Sequence, residues 1–222
     1  AQRGADEKKL YIMFDQMYST LTYGETQHYN PVSLFPEMKQ YTIFVDGISK
    51  SLSATGVRVG WSFGPADVIA KMKALLSHVG AWAPMAEQKA VAKYLSNHTA
   101  VAEHLQGFKQ ALQTRLQLIF DGFKALQAKG FAVDGIAPQA AIYLTIQLNL
   151  VGKKHGEQLL ATQADVTEYI LSKAKIAVVP FYAFGAPKTS TWYRLSIGTC
   201  RVQDIPTMLQ QLEDALAALH DS

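Results

Sequence analysis

Val101, Leu105, Phe108, Leu112, Leu116, Ile119, Phe123 and Leu126 recur every three or four residues without a break. That spacing lines one face of a single long helix, whose apolar stripe has to be buried against other elements. Asn97 or Thr99 offers a capping oxygen at its start, and Gly130 a left-handed position at its end. Before it, Leu10 to Phe14 reads as a buried strand ending at Asp15, and Tyr41 to Val45 and Arg58 to Phe63 read as further strands. Asp67 to Leu76 and Glu87 to Leu95 have helical spacing, and Pro84 must begin or break a helix. After it, Ile142, Leu144, Ile146 and Leu148 alternate with Tyr143, Thr145 and Gln147, the pattern of a half-buried strand. Val151 to Gln163 reads as a polar loop in which Lys153 and Lys154 are solvated. Thr162 and Asp165 form a capping pair for a helix through Ala174. Ala177 to Val179 and Trp192 to Ile197 read as strands, and Ile205 to Leu219 as a closing amphipathic helix. Strands and helices alternate throughout, so the class is α/β or α+β. The expected boundary lies near Ser96 to Thr99, dividing the chain into 1–96 and 97–222.

Several function classes are disfavoured. The 222 residues are 49% apolar, enough for a substantial core, and a scattered net charge of +3 gives no reason to expect nucleic acid. A single cysteine, Cys200, forbids an internal disulfide and fits a reducing, cytoplasmic setting; it reads as a small packing residue. No apolar run has the length of a membrane span. The six histidines lack metal-ligand spacing, so no metal is expected, and neither a Walker loop nor a dinucleotide fingerprint is present. The polar N-terminus is no signal peptide and lacks an initiator Met, so the chain is expected to begin inside a longer protein.

The segment richest in chemistry is Gly47-Ile48-Ser49-Lys50-Ser51-Leu52-Ser53-Ala54-Thr55-Gly56-Val57-Arg58-Val59-Gly60. A lysine among small residues can meet an aldehyde once its amine is unprotonated, a form that burial and nearby positive charge favour. Gly47 and Ser49 would let a ring lie against the backbone, and Arg58 offers a planar fork suited to a phosphate. Taken alone, Lys50 would read as a solvated loop lysine. The lysine, its small neighbours and the Gly-x-Arg-x-Gly that follows together resemble the lysine-attachment signature of class I aminotransferases, which use pyridoxal 5'-phosphate. Two further elements resemble that family. One is Asp15-Gln16-Met17-Tyr18, an Asp-x-x-Tyr element upstream of Lys50 at close to the family's spacing. The other is Trp192-Tyr193-Arg194-Leu195-Ser196-Ile197-Gly198, following Val179-Pro180-Phe181-Tyr182-Ala183-Phe184-Gly185. By themselves Asp15 would read as a turn residue, Tyr18 as packing and Arg194 as half of a structural ion pair. Strand alternation sets Arg194 and Ser196 on the face opposite Leu195 and Ile197.

The resemblance implies the C-terminal part of the large mixed-sheet cofactor-binding domain, with about three of its strands, followed by a smaller α/β (α+β) domain. It implies Lys50 as the Schiff-base and proton-carrying catalytic residue. Asp15, Tyr18, Ser49, Lys50 and Arg58 would bind the cofactor and Arg194 the substrate carboxylate. The reaction would move an amino group between an amino acid, aspartate first, and a 2-oxo acid, in a homodimer. Two departures stand out. Gly47 occupies the place where members often carry a phosphate-binding serine, so one phosphate donor is missing. The family's N-terminal half, with its phosphate-cradling helix and stacking ring, is absent, so the chain alone is expected to be inactive. Two alternatives stay open: a lyase or decarboxylase on the same scaffold, and a ligand-sensing transcription regulator with an aminotransferase-like domain.

Overall fold

The structure, a computed structural model, describes residues 9–221. By contacts the chain divides into two compact units, Ala1–Lys109 and Gln110–Ser222, the division falling inside the long helix.

In the first unit, β1 (Ile12–Asp15) runs parallel to β2 (Thr42–Gly47), and β3 (Gly60–Phe63) pairs antiparallel on the other side of β2. Phe14 lies opposite Phe44, and Phe44 opposite Phe63. The Phe44 and Phe63 rings stack with centroids 4.7 Å apart, and Phe14 meets Phe44 edge-on at 5.7 Å. Such cross-strand pairs hold the register, because a slip of one residue would send each ring to the opposite face. Central β2 buries Thr42, Ile43 and Phe44. The buried strand expected at Leu10 to Phe14 is corrected: it starts at Ile12 and, paired among the described residues with β2 alone, leaves Met13 73% exposed. The strand expected from Arg58 is also corrected. Thr55–Val57 forms a 3-10 turn, Arg58 adopts a left-handed backbone, and β3 begins only at Gly60. Asn30 caps a single helical turn, α1 (Pro31–Leu34). Then come α2 (Ala66–Val79), with no buried residue, and α3 (Met85–Leu95), which follows Pro84 and buries Val91.

Helix α4 (His98–Ala128) starts at Asn97, whose side-chain oxygen accepts from the Ala100 N–H at 3.2 Å, and Gly130 (φ 93°) follows its end. Only its second half is buried, through Leu112, Leu116, Ile119, Phe123 and Leu126. In the second unit β4 (Val133–Gly135), β5 (Tyr143–Leu148), β8 (Val179–Pro180) and β9 (Trp192–Ser196) form an antiparallel sheet ordered β4-β5-β9-β8. Leu144, Ile146, Leu148, Tyr193 and Leu195 are buried, while Tyr143, Thr145, Trp192, Arg194 and Ser196 are not, as strand alternation predicts. The capping pair closes as expected, with reciprocal bonds between Thr162 and Asp165 at the start of α5 (Gln163–Tyr169). Helix α6 (Ile205–Ala217) packs through Leu212, Ala215 and Leu216, and Tyr169 donates its hydroxyl to the Ala215 carbonyl at 2.7 Å. The polar loop expected at 151–163 is corrected. It contains a hairpin of β6 (Lys153–His155) and β7 (Gln158–Leu159) turning at Gly156 (φ 58°), joined by β10 (His220–Asp221). Lys153 is accordingly no loop lysine: its ammonium meets the Asp221 carboxylate at 2.6 Å, a partner too distant in sequence for local patterning to reveal. Among the described residues no helix is long and apolar enough to cross a membrane.

Candidate active site

The first unit brings Asp15 and the Lys50 segment to the same end of its sheet. Asp15 closes β1, Gly47 closes the parallel neighbour β2, and Lys50 follows three residues later. Open α/β sheets bind ligands just outside the carboxyl ends of parallel strands. The Gln16 N–H donates to the Val45 carbonyl at 3.0 Å, extending the ladder one residue beyond β1. The Asp15 carboxylate accepts from the Met17 N–H at 3.1 Å, so it also forms the local turn its position suggested. Tyr18 is half-buried on the turn that follows, and its carbonyl accepts from the Leu21 N–H at 2.9 Å.

The Lys50 loop is held by apolar anchors. Ile48 and Val59 are buried with Val91 of α3, and Leu52, Ala54, Val57, Ala83 and Leu95 pack around them. Between these anchors lie Ser49, Lys50 and Arg58. Ser49 and Arg58 line one cavity of about 560 Å³, together with Asp46, Gly60, Trp61, Lys73 and Trp82; half-buried Lys50 is not among its lining residues, and neither is Asp15 or Tyr18. Ser53 (φ 51°) and Arg58 (φ 59°) both hold left-handed backbones, a conformation that costs a non-glycine residue about 1–3 kcal/mol and gathers at functional sites. Arg58 donates through Nη1 to the Thr55 carbonyl at 2.8 Å, which steadies the guanidinium while engaging one of its five N–H groups. A hydroxyl and a steadied guanidinium on one cavity are the donor set a phosphate requires, so these residues fit the phosphate end of such a cofactor.

The structure adds a packing reason for Gly47. A Cβ there would lie 3.0 Å from the Gly60 Cα and 3.1 Å from the Val59 carbonyl oxygen. The backbone of Val59 and Gly60 stands where a side chain would point, so a serine there requires that backbone to give by a few tenths of an ångström.

In the second unit Arg194, in the middle of β9, sets its guanidinium carbon over two rings, 4.4 Å from the centroid of Tyr143 and 4.4 Å from that of Phe184. None of the ion pairs formed among the described residues involves Arg194. Two rings beside the guanidinium hold it by cation–π attraction, and a guanidinium grips a carboxylate with two bonds through its in-plane N–H edge. Sequence reasoning missed both rings. Phe184 stood in a quoted motif and Tyr143 on a recognised strand, yet nothing local told that they converge. Cys200 is half-buried; burial, with Asp204 beside it, pushes its thiol above the usual range, which suits a packing residue.

The model of the family described as "Aminotransferase class I and II" matches residues 3–212. The chain belongs to this family. It is 34% identical over 211 residues to an aspartate aminotransferase of Geobacillus stearothermophilus, covering 94% of this chain and 48% of that protein. It is 31% identical over 183 residues to that of Bacillus sp. strain YM-2, covering 82% and 44%. Among solved structures, the aspartate aminotransferase from Rhizobium meliloti superposes with a TM-score of 0.83 at 26% identity, over 95% of this chain and 50% of that one. The chain thus spans about half the length of the curated relatives it matches. The α/β fold expected for the C-terminal part of such an enzyme agrees with these likenesses.

Proposed function

We propose that the whole protein containing this chain is a pyridoxal-phosphate-dependent aminotransferase, moving an amino group between an amino acid and a 2-oxo acid, with aspartate the first donor to test. One observation carries the reading. Asp15 ends one of two hydrogen-bonded parallel strands and Lys50 follows the carboxyl end of the other, in the unit where Ser49 and Arg58 share a cavity. When bound, pyridoxal phosphate supplies a ring that accepts electrons from the substrate α-carbon. Ser49 and Arg58 would hold its phosphate, and Tyr18 would donate a hydrogen bond to its phenolic oxygen. Asp15 would keep the ring nitrogen protonated, because a carboxylate stabilises the cationic form. Lys50 would anchor the aldehyde and, once released, move the proton at the substrate α-carbon as base and then acid. The guanidinium of Arg194, held by Tyr143 and Phe184, would take the α-carboxylate. Residues 1–96 would belong to the cofactor-binding domain and 97–222 to the smaller domain, in a cytoplasmic homodimer. Borohydride reduction of the full-length protein with its cofactor, followed by peptide mass spectrometry, tests the reading. Label is expected on the peptide containing Lys50, and label confined to any other lysine overturns the assignment.

A further inference from the structure

Two side chains to which no motif gave a role, Gln16 and Asp46, join the two loops of the site. The Gln16 side-chain amide donates to the Asp46 carboxylate at 3.1 Å, and the other oxygen of Asp46 accepts from the Gly47 N–H at 2.7 Å. We infer that Gln16 and Asp46 are a positioning pair that keeps the Lys50 loop in register with the loop carrying Asp15 and Tyr18; this rests on the reading of Lys50 given above.

The backbone cannot supply that link alone. Parallel pairing between β1 and β2 ends with the Gln16 N–H on the Val45 carbonyl, and beyond it the two chains part into separate turns. One turn runs through Tyr18 to Leu21, and the other closes on itself with Leu52 N–H to the Ile48 carbonyl at 3.1 Å and Ser53 N–H to the Lys50 carbonyl at 3.3 Å. Gly47, the first residue past Asp46, has no room for a side chain that could reach across, since a Cβ there meets Gly60, Val59 and the Met17 methyl within 3.3 Å. Asp46 is therefore the last residue of β2 before the Lys50 loop able to send a polar group to the other loop. Its two oxygens serve different partners, Gln16 in the loop after β1 and the N–H of Gly47, which ends β2 where the Lys50 loop begins. A half-buried carboxylate with both oxygens engaged has little rotational freedom, so it transmits position from one loop to the other.

An exchange of polarity tests the pair in the 222-residue chain itself, without cofactor. Gln16→Glu sets two carboxylates against each other and breaks the contact. Adding Asp46→Asn restores it in reverse, because the amide introduced at position 46 can donate to the carboxylate introduced at position 16 while its oxygen still accepts from the Gly47 N–H. Amide hydrogen exchange of Leu52 and Ser53 should accelerate by about tenfold in Gln16→Glu and return to within roughly twofold of the parent in the double variant. Unchanged exchange in Gln16→Glu, or no recovery in the double variant, overturns the inference. If Gln16→Glu does not fold, recovery of the fold by Asp46→Asn supports the pair and failure to recover overturns it. Borohydride labelling with pyridoxal phosphate in the full-length protein is the separate readout for Lys50. Absence of Lys50 label in that parent would sink the role of the lysine, while exchange would still decide whether the pair holds the loop.

Discussion

At the residue scale the site divides into what spacing announces and what only folding assembles. Lys50, Arg58, Asp15 and Arg194 could be proposed from the sequence because each stands in a run of residues with a recognisable order. Gln16, Asp46, Tyr143 and Phe184 were not, because their roles depend on contacts between segments far apart in sequence. Gly47 was legible as an oddity, but its packing against the backbone of Val59 and Gly60 was not, since that approach is invisible in a linear pattern. Gly47→Ser should therefore destabilise the chain by roughly 1–3 kcal/mol, the range for forcing atoms into a packed site, measured as a lowered urea midpoint. A serine variant as stable as the parent would show that β3 yields easily there. Arg194→Ala in the full-length protein should weaken carboxylate substrates by about 2–5 kcal/mol, the range for breaking a charged hydrogen-bonded pair, and unchanged amino-acid affinity would exclude its role.

At the element scale the strongest periodicities gave the surest readings: α4, β5 and the capping pair of α5 all formed, within a few residues of their expected ends. Shorter elements suffered, because two- and three-residue strands such as β6, β7 and β10 carry too few positions for a period to emerge. Helix α4 holds one unforced weakness. Gly107 lies in its interior with nothing near the position a Cβ would take. Gly107→Ala should raise stability by about 0.5–1 kcal/mol by restricting the unfolded chain, and a drop in thermal midpoint would contradict the open space described. Two buried tyrosines set an alkaline limit. Burial pushes the hydroxyls of Tyr23 and Tyr193 from 10.0 up to about 12. The folded state thus favours their neutral form, so the stability they contribute is complete below pH 10 and is lost as pH rises towards 12. Tyrosinate absorbance during an alkaline titration should show these two groups ionising late and together with unfolding; early ionisation in a folded chain would refute their burial.

At the scale of the whole molecule, the first unit exposes more apolar surface than its own packing explains. Met13 on β1, Leu75 and Val79 on α2 and Trp82 after it all lie open, Val79 at 74%, and α2 buries nothing among the described residues. Scattered apolar residues are ordinary on a surface, but an edge strand and a whole helix face left open together are typical of an interface. The likeness to aspartate aminotransferases covers about half their length. These two observations lead to one expectation: the 222-residue chain alone has no measurable aminotransferase activity and binds pyridoxal phosphate weakly. Activity should return when the matching N-terminal half is added, as a separate chain or in a full-length protein. The measurement is direct: purified chain, pyridoxal phosphate, aspartate and 2-oxoglutarate, with and without the added half. Recovery on addition should come with new protection from hydrogen exchange on α2, because a covered helix face opens less often. Turnover by the chain alone would show that residues 1–222 already hold a complete site, and the open face of α2 would then need another explanation.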